Sequence, residues 1–219
     1  MTLHFQREVD HLKGQLLHLC AVVEDSLQKA ARAMERRDMK LAAEVIDGDA
    51  EIDLLEVELE EECLKILALH QPVAIDLRFV VTAMKINNDL ERVGDLTANI
   101  AERAVDLGPG DGTELPIRFD EMVRVTLGML KQSIDALVNL DAGLADEVRR
   151  TDDEVDRMHR EVFHRARELL ERSEVPAAVV LSLVSVSRQL ERIADHATNI
   201  AEDVIYMVQG TIARHRGSA

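Results

Sequence analysis

Acidic side chains recur in register at two places in this chain, one hundred residues apart. The segment 90–102, Leu-Glu-Arg-Val-Gly-Asp-Leu-Thr-Ala-Asn-Ile-Ala-Glu, returns at 190–202 with eight of its thirteen positions identical. On a helix, at 100° per residue, the acids of each segment lie on one stripe. A hydrophobic core explains a repeated isoleucine, but it does not explain a repeated stack of like charges. The stacked acids are Glu91, Asp95 and Glu102, and Glu191, Asp195 and Glu202.

A second acidic motif is duplicated upstream of each of these segments. The pair Asp49 and Asp53 matches the pair Asp152 and Asp156, and each pair shares a helix face because its members are four residues apart. Each half of the chain therefore carries one acidic pair on its second predicted helix and another on its third. Neighbouring helices of a bundle lie about 8–10 Å apart. Two facing pairs at that spacing could bridge one or more hard divalent or trivalent cations, with water completing the coordination.

An acidic helix face is most often simply solvated, and this alternative applies to any single pair. Like charges four residues apart, however, destabilise a helix by about 0.2–0.5 kcal/mol each. The second predicted helix stacks Asp49, Asp53, Glu56 and Glu60 on one stripe without an interleaved lysine or arginine. The repulsion sums to about 1 kcal/mol. Because related stacks occur in both halves, we predict that a cation offsets the repulsion.

The two predicted sites are not equivalent. The second-half counterparts of Glu56 and Glu60 are His159 and Phe163, so the first site is richer in oxygen ligands and the second gains an imidazole. We therefore expect the first site to hold the larger or more highly charged cluster. The predicted ligands are Asp49, Asp53, Glu56, Glu91 and Asp95 in the first half, and Asp152, Asp156, His159, Glu191 and Asp195 in the second. Weaker candidates, as ligands or as groups that orient ligands, are Asn99, Glu102, Asn199 and Glu202.

Hydrophobic residues at three-to-four spacing predict six long antiparallel helices and no strand of note. The fold class is therefore all-α, a tandem repeat of two three-helix bundles. Asp38 and Asp141 are predicted to cap the second and fifth helices, and Pro72 and Pro176 to open the third and sixth. The first helix is predicted over 4–36, the second to about 69, the third to about 107, the fourth over 117–140, and the sixth to about 210.

The run Gly-Pro-Gly-Asp-Gly at 108–112 is the strongest helix-breaking segment, and it predicts the boundary between the repeats. We predict a first bundle over 1–108, a second over 113–212, and a frayed tail over 213–219.

The amino-acid composition of the chain argues against several classes of binding function. The formal net charge is −16 and aromatic residues make up 2% of the chain, which argues against a nucleic-acid surface. Direct binding of anionic phosphate is also disfavoured unless a metal reverses the local charge. Cys20 and Cys63 are predicted to be buried thiols in a reducing compartment. The start is unlike a signal peptide, and the longest apolar run, 177–186, is about half a membrane span. We therefore predict a cytoplasmic protein with peripheral membrane association at most.

The duplicated motifs resemble those of the PhoU family, the phosphate-uptake regulators of bacteria. The sequence Leu-Glu-Arg-x-x-Asp-x-x-x-Asn-Ile-Ala-Glu in both halves is similar to that family's signature, and the likeness extends over about 5–210. The resemblance implies a tandem repeat of three-helix bundles that binds metal clusters on its surface, with iron, zinc, magnesium or manganese as occupants. By resemblance, the ligands are the acids at 49, 53, 91, 95, 152, 156, 191 and 195.

The resemblance also implies a biological role. Members of the family repress the phosphate-starvation response when phosphate is plentiful. They are thought to link the ATPase-driven phosphate ABC transporter to a membrane sensor histidine kinase, and they form dimers or larger oligomers. On this basis we expect a non-enzymatic regulator of phosphate homeostasis whose partners are the transporter's ATPase subunit, the kinase and a second copy of the chain.

Two other classes remain open. A ferritin-like di-iron enzyme would need Glu-x-x-His motifs on two helices of one bundle. The chain offers Glu8-x-x-His11 and Asp156-x-x-His159, which fall in different halves. A metal-free helical adaptor is the second alternative. Hydrolases with a serine or cysteine nucleophile, and phosphate-binding glycine loops, find no support in the motifs.

Overall fold

The computed structural model describes residues 3–110 and 114–210, and every regular element within these ranges is an α-helix. The six helices are α1 (Leu3–Arg36), α2 (Met39–His70), α3 (Ile75–Leu107), α4 (Asp120–Asn139), α5 (Ala142–Glu171) and α6 (Ala177–Gln209). The predicted all-α fold of two three-helix bundles is confirmed. The predicted limits of the two domains remain a prediction, and the tail over 213–219 lies outside the described residues.

Each repeat is an antiparallel three-helix bundle, and the two bundles share one long contact. Helices α1, α2 and α3 pack against one another, α6 packs against α4 and α5, and α4 packs against α5. The bundles meet where α3 packs on α6 and α1 packs on α4. Within the described chain, α2 and α5 contact only helices of their own repeat. The helix pairs that carry the acidic motifs, α2 with α3 and α5 with α6, therefore each belong to a single repeat.

Two aspartates begin the second helix of each repeat in the same way. The Oδ1 atom of Asp38 accepts hydrogen bonds from the backbone N–H groups of Lys40 (3.0 Å) and Leu41 (3.1 Å). Asp141 does the same for Gly143 (2.9 Å) and Leu144 (3.0 Å). These bonds satisfy donors that would otherwise lack a partner in the first turn. Both predicted N-caps are confirmed.

We expect Asp38→Ala and Asp141→Ala each to lower the free energy of unfolding by about 1 kcal/mol, because each leaves two backbone donors without their acceptor. Urea unfolding followed by circular dichroism measures the change. Asp38→Asn is the matched control, since an asparagine side chain also caps a helix. A loss of the same size in Asp38→Asn would contradict the capping explanation.

The prediction that Pro72 lies in the first turn of the third helix is wrong. Gln71 ends α2 in a left-handed conformation (φ 46°), and Ala74 has φ 52° directly before α3, so the chain turns sharply between them. Pro72 lies inside this turn, three residues before α3 begins at Ile75. Pro176, in contrast, directly precedes α6, and its carbonyl accepts from the N–H groups of Val179 and Val180.

The fourth helix begins later than predicted. It starts at Asp120 rather than at Ile117, and its 20 residues make it about 30 Å long, shorter than the other five. Pro116 and Ile117 form a bend that buries the Ile117 side chain, and Arg118 donates to Asp120 across 2.9 Å. The burial of Ile117 therefore takes place in the connection and not on a helix face.

Polar contacts join the two repeats along the antiparallel α3–α6 pair. Lys85 Nζ lies 3.0 Å from Oδ1 of Asp203, whose side chain is 5% exposed. His196 Nδ1 lies 2.8 Å from Oδ1 of Asp89, and both side chains are largely buried. His196 therefore points towards the other repeat.

The two cysteines are buried free thiols, as predicted. Burial is the main cause that raises the pKa of Cys63 to about 12, and it raises the pKa of Cys20 as well. Both side chains therefore serve as small apolar packing groups at neutral pH.

No helix in the described ranges is both long and apolar enough to cross a membrane.

Candidate metal centre

The first acidic group lies between α2 and α3. Burial raises the pKa of Asp49, and the charges of Asp53 on the same helix and Asp95 on α3 raise it further. The pKa of Glu91 is raised mainly by burial and then by Asp95, with smaller contributions from Asp53 and Glu56 across the helix pair. The structure therefore brings all five predicted first-half acids into one group, in which neighbouring charges disfavour the ionised forms of Asp49, Glu56 and Glu91.

Glu91 is a partly buried acid of this group, with 21% of its side chain exposed. Its Oε2 atom is buried and accepts no hydrogen bond, although Nε of Arg92 lies 3.4 Å away as an ion pair. Arg92 also approaches Asp95, with 3.2 Å between Nη1 and Oδ2. The Arg92 guanidinium offsets part of the cost of burying a carboxylate oxygen without a hydrogen bond, and a bound cation or a proton would offset more of it.

Glu56 is held in place by a residue that the sequence motifs did not single out. The Nδ2 atom of Asn87, a buried side chain on α3, donates to the backbone oxygen of Glu56 (2.8 Å) and to its Oε1 atom (3.2 Å). Burial, followed by the charges of Glu60 and Asp53, raises the pKa of Glu56. Asn87 therefore fixes the register of α2 against α3 and orients one predicted ligand.

Gly94 lets α2 lie close to the backbone of α3 beside the first acidic group. A Cβ atom at this position would lie 3.0 Å from Cγ2 of Ile52 and 3.3 Å from Oδ1 of Asp49. The second repeat accommodates a buried Ala194 at the matching position. The first repeat therefore has a glycine, and the second an alanine, at the helix contact that underlies each acidic group.

The second acidic group lies between α5 and α6 in the same arrangement. The pKa of Asp152 is raised to about 6 by burial first, and then by the charges of Asp195 and Asp156. Burial and the charge of Asp156 likewise raise the pKa of Glu191. Burial and Glu191 are the main causes that raise the pKa of Asp195. The four predicted acids of the second half are thus also brought together.

His159 is presented as a neutral imidazole. The Oγ atom of Ser187 lies 2.9 Å from the carbonyl oxygen of Val184 and 2.9 Å from Nδ1 of His159; when the hydroxyl donates to the carbonyl, it accepts from a protonated Nδ1. Burial lowers the pKa of His159, which favours the same neutral form. The Nε2 atom then carries the lone pair, as a metal-binding histidine requires.

The weaker candidates are mostly engaged elsewhere. Asn99 donates from Nδ2 to the backbone oxygen of Asp95 (2.7 Å). Glu102 lies 3.1 Å from Nη2 of Arg103, and Glu202 lies 3.5 Å from Nε of Arg149. Asn199 is half-buried on α6. None of these contacts adds a ligand to either acidic group, so their proposed role stays a prediction.

The donor sets fit a hard cation in chemistry, but their side chains are not yet arranged around one. Carboxylate oxygens with raised pKa values and the buried oxygen of Glu91 are groups that a divalent or trivalent ion would stabilise. Within the described residues, however, no three aspartate, glutamate, histidine or cysteine side chains converge as a ready-made site. Binding would therefore require the facing carboxylates to change rotamer and move towards the ion.

The motifs of the di-iron alternative are not brought together. Glu8 on α1 contacts the imidazole rings of His70 and His4, while His11 is exposed. Asp156 and His159 lie on α5, and within the described chain α1 and α5 are not in contact. A site that uses both motifs would need side chains from helices that do not pack against each other.

We expect Asp152→Asn to stabilise the metal-free protein at pH 7. Because the folded-state pKa, about 6, exceeds the ordinary value of 3.8, the folded protein binds more protons than the unfolded chain between these limits. Stability contributed by the protonated carboxyl is therefore complete below pH 3.8 and lost as the pH rises through 6. After allowance for solvent screening of this half-exposed group, the gain at pH 7 is on the order of 1 kcal/mol.

Urea unfolding in the presence of a chelator at pH 3.5 and pH 7 measures this effect. The neighbouring substitution Asp153→Asn, at an exposed position, is the matched control. Equal effects of Asp152→Asn at both pH values, or an equal gain in Asp153→Asn, would contradict the role of buried charge.

The match to a known domain covers both repeats. The family model described as the PhoU domain matches residues 16–104 and again residues 119–204. The chain belongs to the PhoU family.

The relatives that support this membership align over nearly the whole chain. A Thermotoga maritima protein named phosphate-specific transport system accessory protein PhoU homolog 1 is 34% identical, covering 94% of this chain and 90% of the relative. A PhoU homolog of Pseudomonas aeruginosa is 37% identical, covering 97% and 88%.

Solved structures of the family share the fold. The crystal structure of PhoU from Pseudomonas aeruginosa matches with a TM-score of 0.87 at 35% identity, over 94% of this chain and 100% of that one. The phosphate transport system regulatory protein PhoU from Streptococcus pneumoniae matches with a TM-score of 0.85 at 27% identity, over 95% and 99%.

Proposed function

We propose that this chain is a metal-binding, non-enzymatic regulator of phosphate homeostasis on the cytoplasmic side of the membrane. In this role it associates with the phosphate transport system through the transporter's ATPase subunit and with a sensor histidine kinase. It restrains the phosphate-starvation response when phosphate is plentiful. The observation that carries the proposal is membership of the PhoU family across both repeats, together with relatives named as accessory proteins of phosphate-specific transport.

The paired acidic groups support a part for metal in this function. Each joins two helices of one repeat, and each gathers carboxylates whose charges oppose one another without a cation. An ion between α2 and α3, or between α5 and α6, would cross-link the helix pair and reduce the negative charge of the surface. Iron, zinc, magnesium and manganese all accept carboxylate oxygen ligands, and a cluster of several ions suits the number of acids.

Elemental analysis of protein purified without chelator, run beside an assay of ferrous-iron oxidation, separates the candidate classes. Bound metal without turnover agrees with the proposed regulator. Turnover would instead support a di-iron enzyme, and metal-free protein would support a helical adaptor.

A pull-down against the transporter's ATPase subunit, with and without chelator, tests the partner and its dependence on metal. We expect capture that weakens when metal is removed. The variant Glu91→Ala/Asp95→Ala should weaken in the same way without chelator, and a reporter of the phosphate-starvation response should be derepressed in cells carrying it. Capture that is absent under every condition would contradict the association with the transporter, whereas capture indifferent to metal would contradict only the metal's role.

A further inference from the structure

The outer face of α2 carries an apolar stripe that the described chain leaves exposed. The side chains of Leu54, Val57 and Leu64 are 59%, 48% and 51% exposed. They belong to a run of exposed positions spaced by four and three residues in alternation, which is the spacing of a coiled-coil contact. We call this run the α2 seam, and it comprises Ala50, Leu54, Val57, Glu61, Leu64 and Ala68.

The second repeat shows which residues of this helix the fold requires. A shift of 103 residues superposes α2 on α5, as the shared caps Asp38 and Asp141 indicate. The buried faces of the two helices then agree position by position in being apolar. The matched buried pairs are Ile52 with Val155, Leu59 with Val162, Cys63 with Ala166, and Ile66 with Leu169.

The outer faces do not agree. The positions of Leu54, Val57 and Leu64 are occupied in α5 by three exposed arginines, Arg157, Arg160 and Arg167, and Glu61 is matched by His164. The same fold therefore tolerates a fully charged stripe at the seam positions. Packing within the repeat does not explain three apolar side chains exposed to water, and an exposed apolar stripe with charged borders is typical of an interaction surface.

Acidic residues border the seam on both sides. On a helical projection Glu51 and Glu58 lie along one edge, and Asp53 and Glu60 lie along the other. The helix as a whole carries ten acidic residues against two lysines. If two copies paired through this face, acids would oppose acids along both edges, and such flanking charges decide which helices pair. A second α2 is therefore a poor occupant of the seam.

From this pattern we propose that the α2 seam is a docking face for a basic amphipathic helix of a partner protein. Apolar side chains of that helix, spaced by three and four residues, pack between Leu54, Val57 and Leu64. Lysine or arginine residues beside its apolar stripe meet the acidic edges, and one of them lies opposite Glu61. Glu51 and Glu58 lie on the edge away from the first acidic group, whereas Asp53 on the other edge belongs to that group, so a bound cation would reduce the negative charge of one edge only.

Fluorescence anisotropy of designed peptides at about 0.15 M salt tests the proposal, because that salt screens purely long-range attraction. The probe is a 21-residue helical peptide with leucines at seam positions and lysines beside them. A second peptide keeps the leucines but carries glutamates, and a third keeps the composition of the first in an order that breaks the stripe. We expect the first peptide to bind at least tenfold more tightly than either of the others.

Two variants of the full chain replace the apolar side chains of the α2 seam, and a control variant replaces apolar side chains elsewhere. Leu54→Ser/Val57→Ser/Leu64→Ser removes the apolar groups without changing the charge. Leu54→Arg/Val57→Arg/Leu64→Arg installs the residue type that the second repeat carries there, and so provides a second folded variant. The control is Leu17→Ser/Val81→Ser/Leu181→Ser, which removes three exposed apolar side chains elsewhere on the surface. Circular dichroism verifies the fold of each variant.

Both seam variants should bind the lysine peptide at least tenfold more weakly than the wild type, and the control should bind it unchanged. Absence of binding to the wild type, equal binding of the reordered peptide, or unchanged binding by the seam variants would overturn the proposal. A wild-type dimer that the serine variant converts to a monomer, measured by light scattering, would also overturn it, by identifying a second copy as the occupant.

Discussion

We expect that replacing Glu91 and Asp95 with alanine removes more bound metal from the protein than replacing Glu191 and Asp195. The first acidic group contains five carboxylates, whereas the second contains four carboxylates and His159. More oxygen ligands and more negative charge favour more ions, or ions of higher charge, at the first group. The close approach of α2 at Gly94 also brings Asp49 near the backbone of α3 there.

We expect each double substitution to lower the metal affinity of the acidic group that it alters by about 100-fold or more. Removing even a residue that only orients a ligand lowers metal affinity by about 10–100-fold. Metal per chain is measured by elemental analysis after purification without chelator and dialysis against metal-free buffer. Arg92→Ala is the control, because it alters charge beside the first group and removes no ligand. Equal losses from the two double variants would reject the predicted inequality of the groups.

We expect Lys85→Ala to lower the stability of the whole molecule by about 1–3 kcal/mol, because it removes the ammonium group that lies 3.0 Å from the nearly buried carboxylate of Asp203 at the contact between repeats. Asp203→Ala should cost less, since Lys85 is 44% exposed and its ammonium group can be solvated. The two substitutions differ in their expected cost because the Asp203 carboxylate is buried and the Lys85 ammonium group is not. Urea unfolding of the full chain, with both repeats intact, measures the two free energies.

The double variant Lys85→Met/Asp203→Leu should recover part of the loss, because it removes the nearly buried carboxylate together with its lysine. Lys29→Ala is the control, as its partners Asp25 and Glu44 are 63% and 58% exposed and its loss should leave the unfolding midpoint unchanged. Equal destabilisation by Lys85→Ala and Asp203→Ala would contradict the explanation from burial.

The features predicted well from the sequence are those fixed by neighbours along the chain. Asp38 and Asp141 cap helices because the donors that they accept from lie two and three residues away. The facing of Asp49 and Asp53 towards Glu91 and Asp95 followed from helical periodicity and from the expectation that consecutive helices of a bundle pack together. Duplication strengthened both predictions, because each pattern occurs twice.

The features missed depend on contacts between helices at a register that the sequence does not specify. Asn87 bonds to Glu56 across 31 residues, and Ser187 contacts His159 across 28. Neither belongs to an acidic motif, yet the two occupy the same position of their repeats, beside two matched ligand candidates. Comparing the repeats at Glu56 and His159 could have drawn attention to them.

The errors at helix starts have local causes. Pro72 fits a first helical turn by propensity, but Gln71 and Ala74, which both have positive φ, form a turn around it instead. Ile117 has the spacing of a helix residue, but its burial within the connection holds it outside α4. In both places the tertiary packing of the connection overrides the local preference.

The superposition of α2 on α5 has a consequence for stoichiometry. Because the hydrophobic core is duplicated, one could expect every binding surface to occur twice in the chain. The α2 seam, however, has no apolar equivalent on α5, where three exposed arginines occupy the matching positions. A partner that binds the α2 seam would therefore find one such binding site per molecule. The duplication therefore gives two similar bundles, but the outer surfaces of α2 and α5 differ. On the proposed docking mode, one molecule would bind one partner helix and not two.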